Sequence, residues 1–123
     1  MIKPTKIVSI AMLLGVVILP SGQAQTPAQN AAREVVRRQA AIIELRNHLA
    51  QANSVEQSGD LNQAAILYEA AQKEVDSIGA NATGIEAERA GTLEGLTRVR
   101  LALGEMYATS GNLNEARKQV QRV

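Results

Sequence analysis

The sequence predicts an all-α fold of two stacked helical hairpins, and three observations carry that prediction. A seven-residue segment occurs twice: Ser58-Gly59-Asp60-Leu61-Asn62-Gln63-Ala64 returns 52 residues later, from Ser58 to Ser110, as Ser110-Gly111-Asn112-Leu113-Asn114-Glu115-Ala116. Repetition of this kind marks architectures built from one recurring supersecondary unit. Apolar residues in both halves recur at spacings of three and four, the helical period, and nothing in the pattern suggests a strand. Each copy of the segment also reads as a tight helix–helix junction. Its glycine suits the left-handed residue that ends a helix. Asp60 or Asn112 supplies an oxygen to cap the next helix. Gln63 or Glu115, three residues on, has the capping-box spacing.

The elements follow in order. Met1 to Lys6 carries Lys3 and Lys6, Ile7 to Leu19 is a 13-residue apolar run, and Gly22-Gln23-Ala24 closes it with small residues. Basic, then apolar, then small is the order of a secretory signal peptide, with cleavage expected after Ala24. A spanning helix needs roughly 20 apolar residues, so the membrane is met only through this transient segment. The absence of cysteine excludes a lipid-attached form of the signal. Residues 25–30 read as a disordered lead-in, and residues 31–123 as the helical repeat domain, incomplete at its C-terminal end. A long helix is expected to about Gln57, with Val35, Val36, Ile42, Ile43, Leu45, Leu49, Ala52 and Val55 as its apolar side. The second helix has the cleanest seam: Leu61, Ala64, Tyr68, Ala71, Val75 and Ile78. Gly79 and Gly84 bracket a break. A third helix, from about Ile85 to Ser110, presents Leu93, Leu96, Val99, Leu103, Met106 and Tyr107. A fourth starts at Leu113.

Composition narrows the function. Removing the signal with Lys3 and Lys6 lowers the 13 basic residues to 11, against 12 acidic ones. Charges mix along every helix, whereas nucleic-acid binding requires a basic stripe, so no nucleic-acid partner is expected. His48 is the only histidine and there is no cysteine, which removes the usual metal and nucleophile chemistry. The chain reads as neither an enzyme nor a cofactor protein. Glu44 and His48, four apart, read as a solvated helical pair. Gly91 and Gly95 have small-xxx-small spacing and predict close contact with the first or second helix.

Leu103-Gly104-Glu105-Met106-Tyr107, followed by Gly111, Leu113, Ala116 and Val120, resembles a tetratricopeptide repeat. Ala52, Gly59, Leu61, Ala64, Tyr68 and Ala71 carry the same resemblance in the first copy, with Val55 in place of the family's tyrosine. The family's period is about 34 residues, and here the copies stand 52 apart. The resemblance covers residues 45–76 and 97–123. It implies a scaffold whose first helices line a groove for a protein or peptide, with Arg46, Leu49, Asn53, Glu56, Arg98, Leu101 and Glu105 facing it. The subtype that clamps a C-terminal carboxylate wants a lysine at Leu49 and an asparagine at Ala102; only Asn53 matches. The exported helical segment also resembles the leader ahead of bacterial secretin-type outer-membrane proteins.

The expected function is therefore an exported interaction scaffold in the cell envelope or periplasm, the N-terminal part of a secretion or envelope assembly. Two other readings stay open: a self-assembling coiled-coil protein, and a protein tethered by an uncleaved signal. Repeat arrays expose apolar surface at an uncapped end, so self-association through the C-terminal end is expected unless a longer protein covers it.

Overall fold

The computed structural model describes residues 26–123; the expected signal segment, residues 1–24, lies outside them. The fold is all-α. Four helices follow one another: α1 (Pro27–Gln57), α2 (Leu61–Ile78), α3 (Glu86–Thr109) and α4 (Leu113–Gln121). Helices α1 and α2 form one antiparallel hairpin, α3 and α4 a second, and α3 packs on both members of the first.

The repeated segment builds the same turn twice. Gly59 and Gly111 take φ of +89° and +80°, where a side chain would be strained. The Gly59 N–H donates to the Glu56 carbonyl and the Asp60 N–H to the Val55 carbonyl, a Schellman motif. Gly111 to Ala108 and Asn112 to Tyr107 repeat it. Asp60 Oδ1 then accepts from Gln63 N at 3.0 Å, and Asn112 Oδ1 from Glu115 N at 3.2 Å. One residue thus closes one helix and opens the next. The expected reciprocal bond from Gln63 or Glu115 is not made, because the N–H it would satisfy already donates backwards into the Schellman motif. Glu115 bonds Gln119 and Lys118 instead.

The reciprocal capping box occurs at Thr26. Its Oγ1 accepts from Gln29 N, Gln29 Oε1 accepts from Thr26 N, and Pro27 fills the first helical position. The expected disordered lead-in is thus a capped helix start from Thr26 onward.

Two apolar clusters hold the hairpins together. Tyr68 centres the first, with Ala52, Ala64, Ala65, Val99 and Leu103. The second joins Leu45, Ala71, Val75 and Ile78 to Ile85 from the α2–α3 loop. The α2 seam is therefore buried as its spacing predicts, with Leu61 packed at the edge. Alanine and glycine let the helices approach closely: a Cβ at Gly95 would fall within the Tyr68 ring. The predicted close approach is real at Gly95 and absent at Gly91, where nothing lies within 4 Å.

Two expected faces differ from the structure. Val35 and Val36 are exposed because α1 projects beyond the body, residues 26–40 all being exposed among the described residues; Ile43 faces outward between Ile42 and Leu45, which pack on the body. On α3, Leu93 and Met106 face outward while Thr92, Gly95 and Gly104 are buried. Gly95 must be small because it meets the Tyr68 ring, and Gly104 because Val120 and Ala116 of α4 lie against it. Buried Thr92 returns its hydroxyl proton to the Glu88 carbonyl at 2.7 Å, so no polar group is stranded.

Candidate partner-binding face

Helices α1 and α3 lie side by side and run parallel, tied by two ion pairs of opposite sense. Arg46 Nε of α1 donates to Glu88 Oε1 of α3 at 2.7 Å, and Arg98 Nε of α3 donates to Glu56 Oε1 of α1 at 2.5 Å. Both pairs join residues 42 apart in sequence. The contact register of 42 differs from the repeat spacing by ten residues, about 15 Å of helix. With α2 ending at Ile78, that stagger leaves the start of α1 free.

The second pair is part of a network. The Tyr68 hydroxyl lies 2.7 Å from Glu56 Oε2 and 2.8 Å from Asn53 Oδ1, and receives Arg98 Nη2 at 3.4 Å. A phenol has one proton, so it serves Glu56; turning the Asn53 amide lets its NH2 donate to the same oxygen. Tyr68 is 1% exposed. Burial, followed by the adjacent Glu56 carboxylate, pushes its phenol up to about 12. The Arg98 hydrogen bond, followed by that of Tyr68, holds Glu56 below the usual carboxylate range, and Glu56 in turn raises Arg98. Glu88 is lowered chiefly by Arg46.

These contacts sort the seven residues expected in the groove. Leu49, Asn53 and Arg98 line one cleft of about 450 Å³ between α1 and α3, with Glu88, Gly91 and Glu94. Arg98, Leu101 and Glu105 line an adjoining cleft of about 700 Å³ along α3, with Leu93, Glu94 and Thr97. Arg46 and Glu56 line neither; their charges clip α1 to α3. The two clefts share Glu94 and Arg98 and form one continuous face. On it Leu93 is 61% and Leu101 44% exposed, while Glu94 and Glu105 make no ion pair among the described residues.

Sequence reasoning missed two arginines that lock the opposite side. Arg100, with a side chain 12% exposed, donates to Glu69 Oε1 of α2 and to the Arg122 carbonyl at the end of α4, each at 2.5 Å. A cation at a helix C-terminus also complements the helix dipole. Arg89 Nη2 reaches the Ala82 carbonyl at 2.9 Å and fixes the α2–α3 loop. Their partners lie on other elements, so no local spacing signals them. His48 makes no hydrogen bond to Glu44, and its Nδ1 is buried without a partner. No described helix is long and apolar enough to cross a membrane. Comparison with protein-family models, curated proteins and solved structures finds no match for this chain.

Proposed function

We propose that this chain is an exported interaction scaffold of tetratricopeptide type that binds a protein or peptide on the α1–α3 face, within a cell-envelope or secretion assembly. The observation that carries the reading is that face itself: exposed Leu93 and Leu101 beside the unpaired Glu94 and Glu105, all on α3, which polar clips lock to α1. Exposed apolar side chains rimmed by polar ones are the usual mark of an interaction site. Its chemistry favours an amphipathic segment that sets apolar side chains on the leucines and Lys or Arg against the carboxylates. Export rests on the sequence of residues 1–24, and the scaffold reading on the repeated helical hairpin.

Reversing Arg46 and Arg98 would break the internal clips and blur any test of binding. The cleaner variant is Leu93→Asp with Leu101→Asp, both on exposed positions. Captured from an envelope extract of the source organism, a specific partner is expected to be retained by the native chain and lost by the double variant, with helicity and melting unchanged. Equal recovery by both would overturn the proposal.

A further inference from the structure

Among the described residues, the α3–α4 hairpin carries an uncovered copy of a site that α3 covers on the first hairpin. A cleft of about 380 Å³ between α3 and α4 is lined by Leu101, Gly104, Ala116 and Val120 among others. Moved back by the repeat spacing, these four fall on Leu49, Ala52, Ala64 and Tyr68. Those are the residues that α3 covers in the first half, where Ala52, Ala64 and Tyr68 are buried with Val99 and Leu103, and Leu49 packs against them. In the second half Val120 is 54% exposed, and Leu113 and Met106 lie open nearby.

The same chain has a helix with the stripe that such a seat takes. Along α3, Gly91, Gly95, Val99 and Leu103 form one row at four-residue intervals, of which Gly95, Val99 and Leu103 meet the first hairpin. Ala28, Ala32, Val36 and Ala40 form a row with the same spacing and order: small, small, valine, aliphatic. Each row spans 13 residues, about 18 Å of helix. The second belongs to the projecting part of α1, where each of residues 26–40 is exposed, and it ends where Ala41 and Ile42 begin to pack on the body. Charge agrees. The arm carries Arg33, Arg37 and Arg38 against Glu34 alone. The α3 side of the cleft presents the unpaired Glu105, with Glu94 further along; Arg117, on α4, is the lining's basic residue.

We propose that the α3–α4 cleft receives the projecting α1 arm of a second copy of this chain. The arm would stand where α3 stands on the first hairpin, so copies join head to tail. A heterologous contact of this kind builds an open filament, or a ring if the rotation closes. The cleft shares Leu101 and Glu105 with the proposed partner face, so the two proposals are told apart by positions outside that overlap, Leu93 for the partner and Val36 with Val120 for the arm.

The test is sedimentation of the purified chain over a range of concentrations, with Val36→Glu on the arm and Val120→Glu in the cleft. Both positions are exposed, and circular dichroism confirms that each variant folds. The native mass is expected to rise with concentration, while each variant alone stays a monomer. Mixed, the two variants should form a species of two chains and no larger, since one intact arm meets one intact cleft. A native chain that remains monomeric overturns the proposal. So does assembly lost with Val36→Glu and kept with Val120→Glu, which would mean that arms pair with each other.

Discussion

The two hairpins share a turn and differ in almost everything around it. Around Ser58–Asp60 and Ser110–Asn112 the same carbonyls accept the same N–H groups, down to the serine hydroxyls that donate to Val55 and Tyr107. Yet Tyr68, four residues past the first copy, is buried under α3, while Val120, its counterpart, is half exposed. Glu56 is clipped by Arg98, while its counterpart Ala108 has no charge to offer. Turn geometry is thus local and travels with the seven residues. Packing depends on whether a third helix lies on top.

The largest test of this difference replaces the central side chain of each half. Tyr68→Ala removes the ring at the middle of a core and is expected to cost about 3–5 kcal/mol, the range for aromatic truncation. Val120→Ala, at the same position of the repeat, is expected to stay within about 0.5 kcal/mol. Chemical denaturation followed by circular dichroism reads both. Similar losses at the two sites would mean that something covers the second hairpin in solution, which the head-to-tail contact would do at high concentration.

A pair of glycines sharpens the same contrast within α3. Gly95→Ala forces a Cβ into the Tyr68 ring and is expected to destabilise by about 1–3 kcal/mol. Gly91→Ala meets open space and should stabilise by roughly 0.5–1 kcal/mol through helix propensity. In a Tyr68→Ala background the sign at Gly95 should reverse, because only the propensity gain remains. Such coupling between neighbours is what a double-mutant cycle measures.

These residues also show what could be read ahead of the structure. The turns, the α2 seam and the all-α class were legible because each depends on neighbours a few positions away. The inward row of α3 was legible only in part: Val99, Leu103 and the close approach at Gly95 are as expected, whereas hydrophobicity also favours Leu93 and Met106, which face outward. The partners of Arg98 and Arg100 were hidden for a related reason. Arg98 meets Glu56 only once the 42-residue register of α1 and α3 is set, and Arg100 meets Glu69 only once α3 packs on α2; the 52-residue repeat reveals neither. Four of the expected groove residues lie on the open face beside Arg98's clip to Glu56, but the resemblance could not tell a free charge from a clipped one.

Alkaline titration isolates the covered half. Tyr68 and Tyr107 are the only aromatic residues, so Tyr107→Phe leaves Tyr68 as the one chromophore. Its folded pKa, about 12, is raised above the ordinary 10. The associated stability is therefore full below pH 10 and is lost as pH rises towards 12. Tyrosinate absorbance in this variant should appear late and together with unfolding. Early absorbance with the helices intact would mean that the ring is open to water.

The smallest effect concerns the clip that only the first half has. Arg98 is mostly solvated, so Glu56→Gln should cost less than about 1 kcal/mol at neutral pH, as exposed ion pairs do. Its value lies in the pH dependence. The folded pKa of Glu56 is lowered from 4.5, so the pair's contribution is present above that value and declines as pH falls below it. The native chain should therefore lose stability more steeply than Glu56→Gln over that acid range. Ala108→Glu, which puts a carboxylate at the equivalent site without an Arg98 to meet it, should not restore the slope. If it did, the ion pair between α1 and α3 would be incidental, and the asymmetry between the hairpins would rest on Tyr68 alone.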